Sequence, residues 1–281
     1  MKALENLALD VSNQLRLSGG LGPRLRCVWG YYSRYGLARF RGLSREKSRL
    51  EALHRLADLG WSRREVAVRL PEGLLFHMDA YSAAFLVPEL VFDKAYEKDP
   101  AFAPAPGQTI IDVGAHQGLF ALRAAAAVGP GGRLVAIEPF PGNMALLRRN
   151  ARENRLANVT LLETAAADFS GQTRLNVNRL VTGGNSLVFD HSDYEGSVPV
   201  QADTLDRILE ALGCPAPDLI KIDVEGACLQ VLSGAPKALA SKPRLIIEVE
   251  GGPSEMGNVE ALLVSKGYRV LKRGSVLFAQ E

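Results

Sequence analysis

Cysteine is scarce: Cys27, Cys214 and Cys228 are the three in 281 residues. An odd number without ligand-like spacing excludes a disulfide framework and a cysteine-built zinc site. It reads instead as small buried thiols in a reducing compartment, so a cytoplasmic protein is expected. No apolar run approaches the roughly 20 residues that span a bilayer, and acidic residues interrupt the opening Met-Lys-Ala-Leu-Glu-Asn before a secretory core can form. The G-x-G-x-x-G spacing of dinucleotide sites is missing, as are internal repeats and low-complexity tracts. Hydrophobic residues make up 47% of the chain and charged residues 23%, the composition of a globular protein with a substantial core. The length suits one large domain or a core with an appendage.

The near-neutral net charge conceals an asymmetry. Lys and Arg outnumber Asp and Glu by 14 to 6 in residues 1–70 and are outnumbered 19 to 25 in the remainder. A basic helical region is expected over 1–62, with its leucines on one face of a helix at 44–59. Such a region either is a solvated face or rests on an anionic membrane surface or another acidic partner. Residues 63–107 follow as a β-hairpin around Pro71-Glu-Gly73, a helix over 81–98 disturbed at Pro88, and a Pro-rich linker.

From 108 to 281 strands and helices alternate, the pattern of a mostly parallel sheet. Strands are expected at 109–113, 133–137, 158–163, 218–222 and 244–249, helices at 118–128, 141–155, 204–212, 226–239 and 256–266, and two short strands at the end. A β-rich insertion at about 171–202 interrupts the rhythm and is read as lying over the ligand crevice.

The most informative segment is the strand 109–113 and its break into Asp112-x-Gly114-x-x-x-Gly118 before a helix. Glycine is needed where the backbone takes φ > 0 or lies against a ligand, and the N–H groups of the following helix face an acceptor-rich molecule. An acid on the strand, with three residues between the glycines, favours S-adenosylmethionine over NAD. A second strand ends in Glu138, placed to accept hydrogen bonds from both ribose hydroxyls. Asp112 is expected to order the turn and meet the ligand's ammonium group, His116 to reach the cofactor or pack on the loop, and Asp168 to accept from adenine beside a slot of small residues, 165–167.

Further acids crowd the strand ends: Asp223 and Glu225 on one, Glu248 and Glu250 on the next. Carboxylates so placed can take the proton of an acceptor hydroxyl or hold a hard divalent cation through oxygen ligands. The candidate catalytic residues are therefore Asp223, Glu225 and Glu248, with His191 of the insertion as another base. Lys221 is assigned a structural role on the opposite side from Asp223. Asn185 and Ser186 either line the acceptor pocket or shape their loop.

These residues resemble the FkbM-type family of class I S-adenosylmethionine-dependent methyltransferases. The resemblance is carried by Ile-Ile-Asp-Val-Gly-Ala-His-Gln-Gly (110–118), Val-Ala-Ile-Glu-Pro-Phe-Pro (135–141), Leu-Ile-Lys-Ile-Asp-Val-Glu-Gly (219–226) and Pro-Arg-Leu-Ile-Ile-Glu (243–248). It implies an α/β fold with a Rossmann-like seven-stranded mostly parallel sheet, and commonly O-methylation of a sugar, glycan or polyketide-like acceptor. It also implies Asp112, Gly114, Gly118 and Glu138 as cofactor contacts, with Asp223 and Glu225 in the acceptor region. The chain departs from that pattern at His116-Gln117, Cys228 and Glu250. The alternative is a non-catalytic binding protein, attached to membrane or RNA through its basic segment.

Overall fold

A computed structural model of the chain describes residues 40–42, 63–97, 99–178, 181–190, 194–214 and 216–281. The basic region expected over 1–62 lies almost wholly outside the described residues, and so do Cys27 and His191. The described residues fall into two compact units, one ending at Asp93 and taking in Val181 and Thr182, the other running from Lys94 to the C-terminus.

In the first unit, β1 (Glu65–Arg69) and β2 (Leu75–Asp79) form the antiparallel hairpin. Gly73 turns it at φ +96°, and its N–H reaches the Leu70 carbonyl at 2.9 Å. Helix α1 (Ala80–Leu86) starts at Asp79, whose carboxylate accepts the Ser82 N–H at 2.8 Å. This is ordinary N-capping. The helix does not continue to residue 98 as expected. Pro88 has no N–H to give to the preceding turn, and the chain widens into a π-type turn, Val87–Phe92.

The second unit holds β3 (Thr109–Val113), β4 (Arg133–Ile137), β5 (Val159–Leu162), β9 (Leu219–Ile222), β10 (Arg244–Glu248), β11 (Arg269–Arg273) and β12 (Val276–Gln280) in one sheet, ordered β11-β12-β10-β9-β3-β4-β5. Strands β10, β9, β3, β4 and β5 run parallel, and β12 lies antiparallel between β10 and β11. The central strands are near-continuous apolar runs, with Ile110, Ile111, Leu134, Val135, Leu245 and Ile246 fully buried, because helices cover both faces. From β3 the chain passes through α2 (Leu119–Val128) to β4, and through α3 (Pro141–Glu153) to β5. It returns to β9 on the other side of β3. The order therefore reverses at β3, and the crevice that such a reversal opens lies at the carboxyl ends of β3, β4 and β9.

The insertion forms a separate three-stranded sheet of β6 (Ala165–Ala167), β7 (Gly171–Asn178) and β8 (Tyr194–Thr204), ordered β6-β8-β7. Helix α4 (Leu205–Ala211) follows it, and the helix expected over 226–239 divides at Gly234 and Pro236 into α5 (Cys228–Ser233) and α6 (Pro236–Ala240). The closing helix is α7 (Gly252–Ser265). The small residues of β6 do not form a ligand slot. Ala165 and Ala167 pack with Leu175, Val200 and Ala202 in a core of their own, and a Cβ on Gly234 would stand 2.0 Å from the Ala167 carbonyl oxygen. Their smallness serves close packing. Among the described residues no helix is long and apolar enough to cross a membrane.

Candidate active site

The loop from β3 to α2 turns through three residues of positive φ: Gly114 (+79°), His116 (+52°) and Gly118 (+91°). The glycines answer to the protein's own packing. A Cβ on Gly114 would lie 1.8 Å from the Asp223 carbonyl oxygen, and one on Gly118 would lie 2.3 Å from Leu147 Cδ1 on α3. The loop thus presses against the end of β9 on one side and against α3 on the other. A Cβ on Gly183, in the insertion, would come within 3.8 Å of His116 Nε2.

Glu138 stands at the end of β4 and is 5% exposed. Its Oε2 accepts the His116 N–H at 2.8 Å, while Oε1 accepts the Phe140 N–H at 2.9 Å and Asn143 Nδ2 at 3.3 Å. Burial nevertheless pushes its pKa up to about 7. A carboxylate offers about four acceptor sites, so one place remains, on Oε2. The expected acceptor of two ribose hydroxyls thus also ties the cofactor loop to β4, and it has room for one further donor. The tie was not foreseen, and neither was the part played in it by Asn143.

Asp112 pairs in register with Lys221 across β3 and β9. Lys221 Nζ lies 3.2 Å from Asp112 Oδ1 and 3.1 Å from Asp223 Oδ2. This corrects one expectation: Lys221 and Asp223 are two residues apart, so by the strand's period they share a side. Asp112, with no solvent exposure, has this ammonium group beside it. Burial pushes the Asp112 carboxyl up against the pull of Lys221, and Lys221 is held charged by Asp112 and Asp223.

The acids at the ends of β9 and β10 do converge. The Tyr96 hydroxyl, 5% exposed as a residue, donates a short hydrogen bond to Glu248 Oε2 and lies 3.4 Å from Asp223 Oδ2. Ser275 Oγ adds a contact to Glu248 Oε1 at 3.4 Å. Glu250 accepts the Gly226 N–H at 3.3 Å. Glu225 takes a left-handed backbone, φ +48°, and its carbonyl accepts Ser186 Oγ at 2.6 Å. Among the described residues no hydrogen bond reaches its carboxylate. Burial, reinforced by the charges of Asp223 and Glu248, pushes Glu225 up to about 8, and burial with Asp223, Glu225 and Glu248 pushes Glu250 up to about 9. Oxygens of Asp223, Glu225 and Glu250 all lie within 4.8 Å of one another. Asp168 joins none of this; it is exposed in the turn after β6. Nothing in the sequence pattern pointed to Tyr96, which precedes the alternating region.

These acids make stability depend on pH. Glu138, Glu225 and Glu250 have folded values of about 7, 8 and 9 against an ordinary 4.5, so the folded state holds more protons than the unfolded one between those limits. Their contribution is complete below about pH 4.5 and is lost as pH rises through 7 to 9. The urea midpoint is expected to fall steadily from pH 5 to pH 9, and a midpoint rising over that range would contradict the burial of these groups.

A seven-stranded sheet of this order, with a glycine turn after its central strand and an acid ending the next, is the arrangement of the class I methyltransferase fold. Within that class, the family model for the methyltransferase FkbM domain matches residues 112–270, and the chain belongs to the FkbM family. Methyltransferase sdnD of Sordaria araneosa is 28% identical over 221 residues, 68% of this chain and 83% of that protein. The AMB antimetabolite synthetase AmbE of Pseudomonas aeruginosa is 28% identical over 235 residues, 70% of this chain but 11% of AmbE. The hexuronic acid methyltransferase AglP of Haloferax volcanii is 29% identical over 117 residues, 42% of this chain and 47% of AglP. The chain therefore spans a small part of AmbE and about half of AglP.

Proposed function

We propose that the protein transfers the methyl group of S-adenosylmethionine to an oxygen of a sugar, glycan or polyketide-like small molecule, with Glu225 taking the acceptor's proton. The observation that carries this reading is the division of labour among the acids. Lys221 pairs with Asp112 and Asp223, and Tyr96 and Ser275 contact Glu248. Among the described residues Glu225 is left without a donor, just past the end of β9, with its affinity for a proton raised to about 8 by burial. A hydroxyl is too weak an acid to attack a sulfonium unaided, and a base matched to the working pH removes that obstacle. The remaining rate comes from holding the oxygen in line with the methyl–sulfur bond. The cofactor's ribose would take the open place on Glu138 Oε2.

The hexuronic acid methyltransferase AglP supports a sugar-acid acceptor. The non-catalytic alternative draws no support from the site or from these relatives. A second reading has one observation in its favour: Asp223, Glu225 and Glu250 are spaced as oxygen ligands of one divalent cation.

The test is transfer of tritiated methyl from S-adenosylmethionine to a panel of hexoses, hexuronic acids and simple hydroxylated ketides, before and after dialysis against a chelator. Labelled product that survives the chelator is expected. Loss of transfer on chelation, restored by magnesium, favours the second reading, and no transfer at all contradicts the proposal.

A further inference from the structure

We infer that Ser186, in the insertion, is a positioning residue that fixes the direction of the Glu225 carboxylate through the backbone. The inference rests on the methyl-transfer reading and deepens it.

A serine hydroxyl has one proton to give and two lone pairs to receive. In Ser186 the lone pairs accept the N–H groups of Val188 at 3.0 Å and Phe189 at 2.8 Å. The proton then has one destination, the Glu225 carbonyl 2.6 Å away. The serine is itself held, because its N–H and C=O both pair with Asn176 of β7, at 3.1 and 2.8 Å, and it has no exposed surface. A buried, immobile donor therefore grips the peptide between Glu225 and Gly226.

That peptide needs gripping. Glu225 and Gly226 take φ +48° and +86° in succession, a conformation that a residue with a Cβ adopts only under constraint. The Phe189 ring closes the other side, since a Cβ on Gly226 would stand 2.4 Å from its Cζ. Without the Ser186 hydroxyl, Glu225 can relax toward negative φ, which swings its side chain away from Asp223 and Glu250. On this account the insertion serves the reaction through the conformation it imposes on the end of β9.

The experiment is steady-state transfer of tritiated methyl to the best acceptor of the panel above, using the whole chain. Ser186→Ala is expected to lower kcat about 10- to 100-fold, the scale of a misplacement near 1 Å, and to leave KM for S-adenosylmethionine within about twofold. Ser186→Thr, which keeps the hydroxyl, is expected to retain more activity than Ser186→Ala. In a Glu225→Gln background Ser186→Ala should add less than about twofold, because it acts through a carboxylate already removed. Losses that multiply in the double variant, or a KM that moves with kcat, assign Ser186 a general structural role and overturn the inference. If Ser186→Ala does not fold, Ser186→Cys, with its weaker donor, is read by the same criteria. A wild type that transfers no methyl refutes the parent reading before any variant is made, while unchanged kcat in Ser186→Ala refutes this inference alone.

Discussion

Glu225→Gln is expected to slow methyl transfer by about 10²- to 10⁴-fold, the usual contribution of a placed general base, while affinity for S-adenosylmethionine stays within about twofold. The amide keeps the shape of the side chain but cannot take a proton. The wild-type rate should rise with pH and level off above about 8, where Glu225 is ionised, and that limb should vanish in the variant. The geometry sharpens the expectation, because the neighbouring carboxylates are engaged: Asp223 with Lys221, Glu248 with Tyr96, and Glu250 with the Gly226 N–H. An unchanged rate and pH profile in Glu225→Gln would move the base to another of these acids.

The second large effect belongs to Lys221. Lys221→Met is expected to destabilise the fold by about 3–5 kcal/mol, the range seen when one member of a buried ion pair is removed. Methionine fills much of the volume, so the loss is chiefly electrostatic. Asp112, with no exposed surface and its cation gone, is left as a buried carboxyl that must either stay charged at great cost or take up a proton. Urea unfolding at pH 8 should show the loss, and lowering the pH should lessen it, because burial already favours the protonated form of Asp112. A midpoint equal to wild type at pH 8 would mean that the pair contributes nothing.

What could be read in advance follows from the kind of signal involved. The turn after β3 was legible because glycine is the residue that tolerates φ near +79° and +91°, and the sheet because strands and helices alternate in length and polarity. Glu138 was legible as an acid ending a strand. Lys221 stands two residues before Asp223, so the strand's period of two sets both on one side and not on opposite sides. Its partner Asp112 depended on the register of β3 against β9, which a single sequence does not display. The alanines of β6 were misread because smallness serves a ligand slot and close packing alike. Tyr96 and the grip of Ser186 on Glu225 are long-range contacts between segments of different pattern, and no local spacing announces them.

The proposed methyl transfer requires that the crevice at the ends of β3, β4 and β9 take S-adenosylmethionine, with its ribose at Glu138. Titration calorimetry of the wild type and of Glu138→Ala with S-adenosylmethionine tests this most directly. The wild type should bind, and the variant should bind at least about tenfold more weakly, since a hydrogen bond to a charged group contributes roughly 1.5–3 kcal/mol. Equal affinity in the two proteins, or no heat of binding in the wild type, would contradict it.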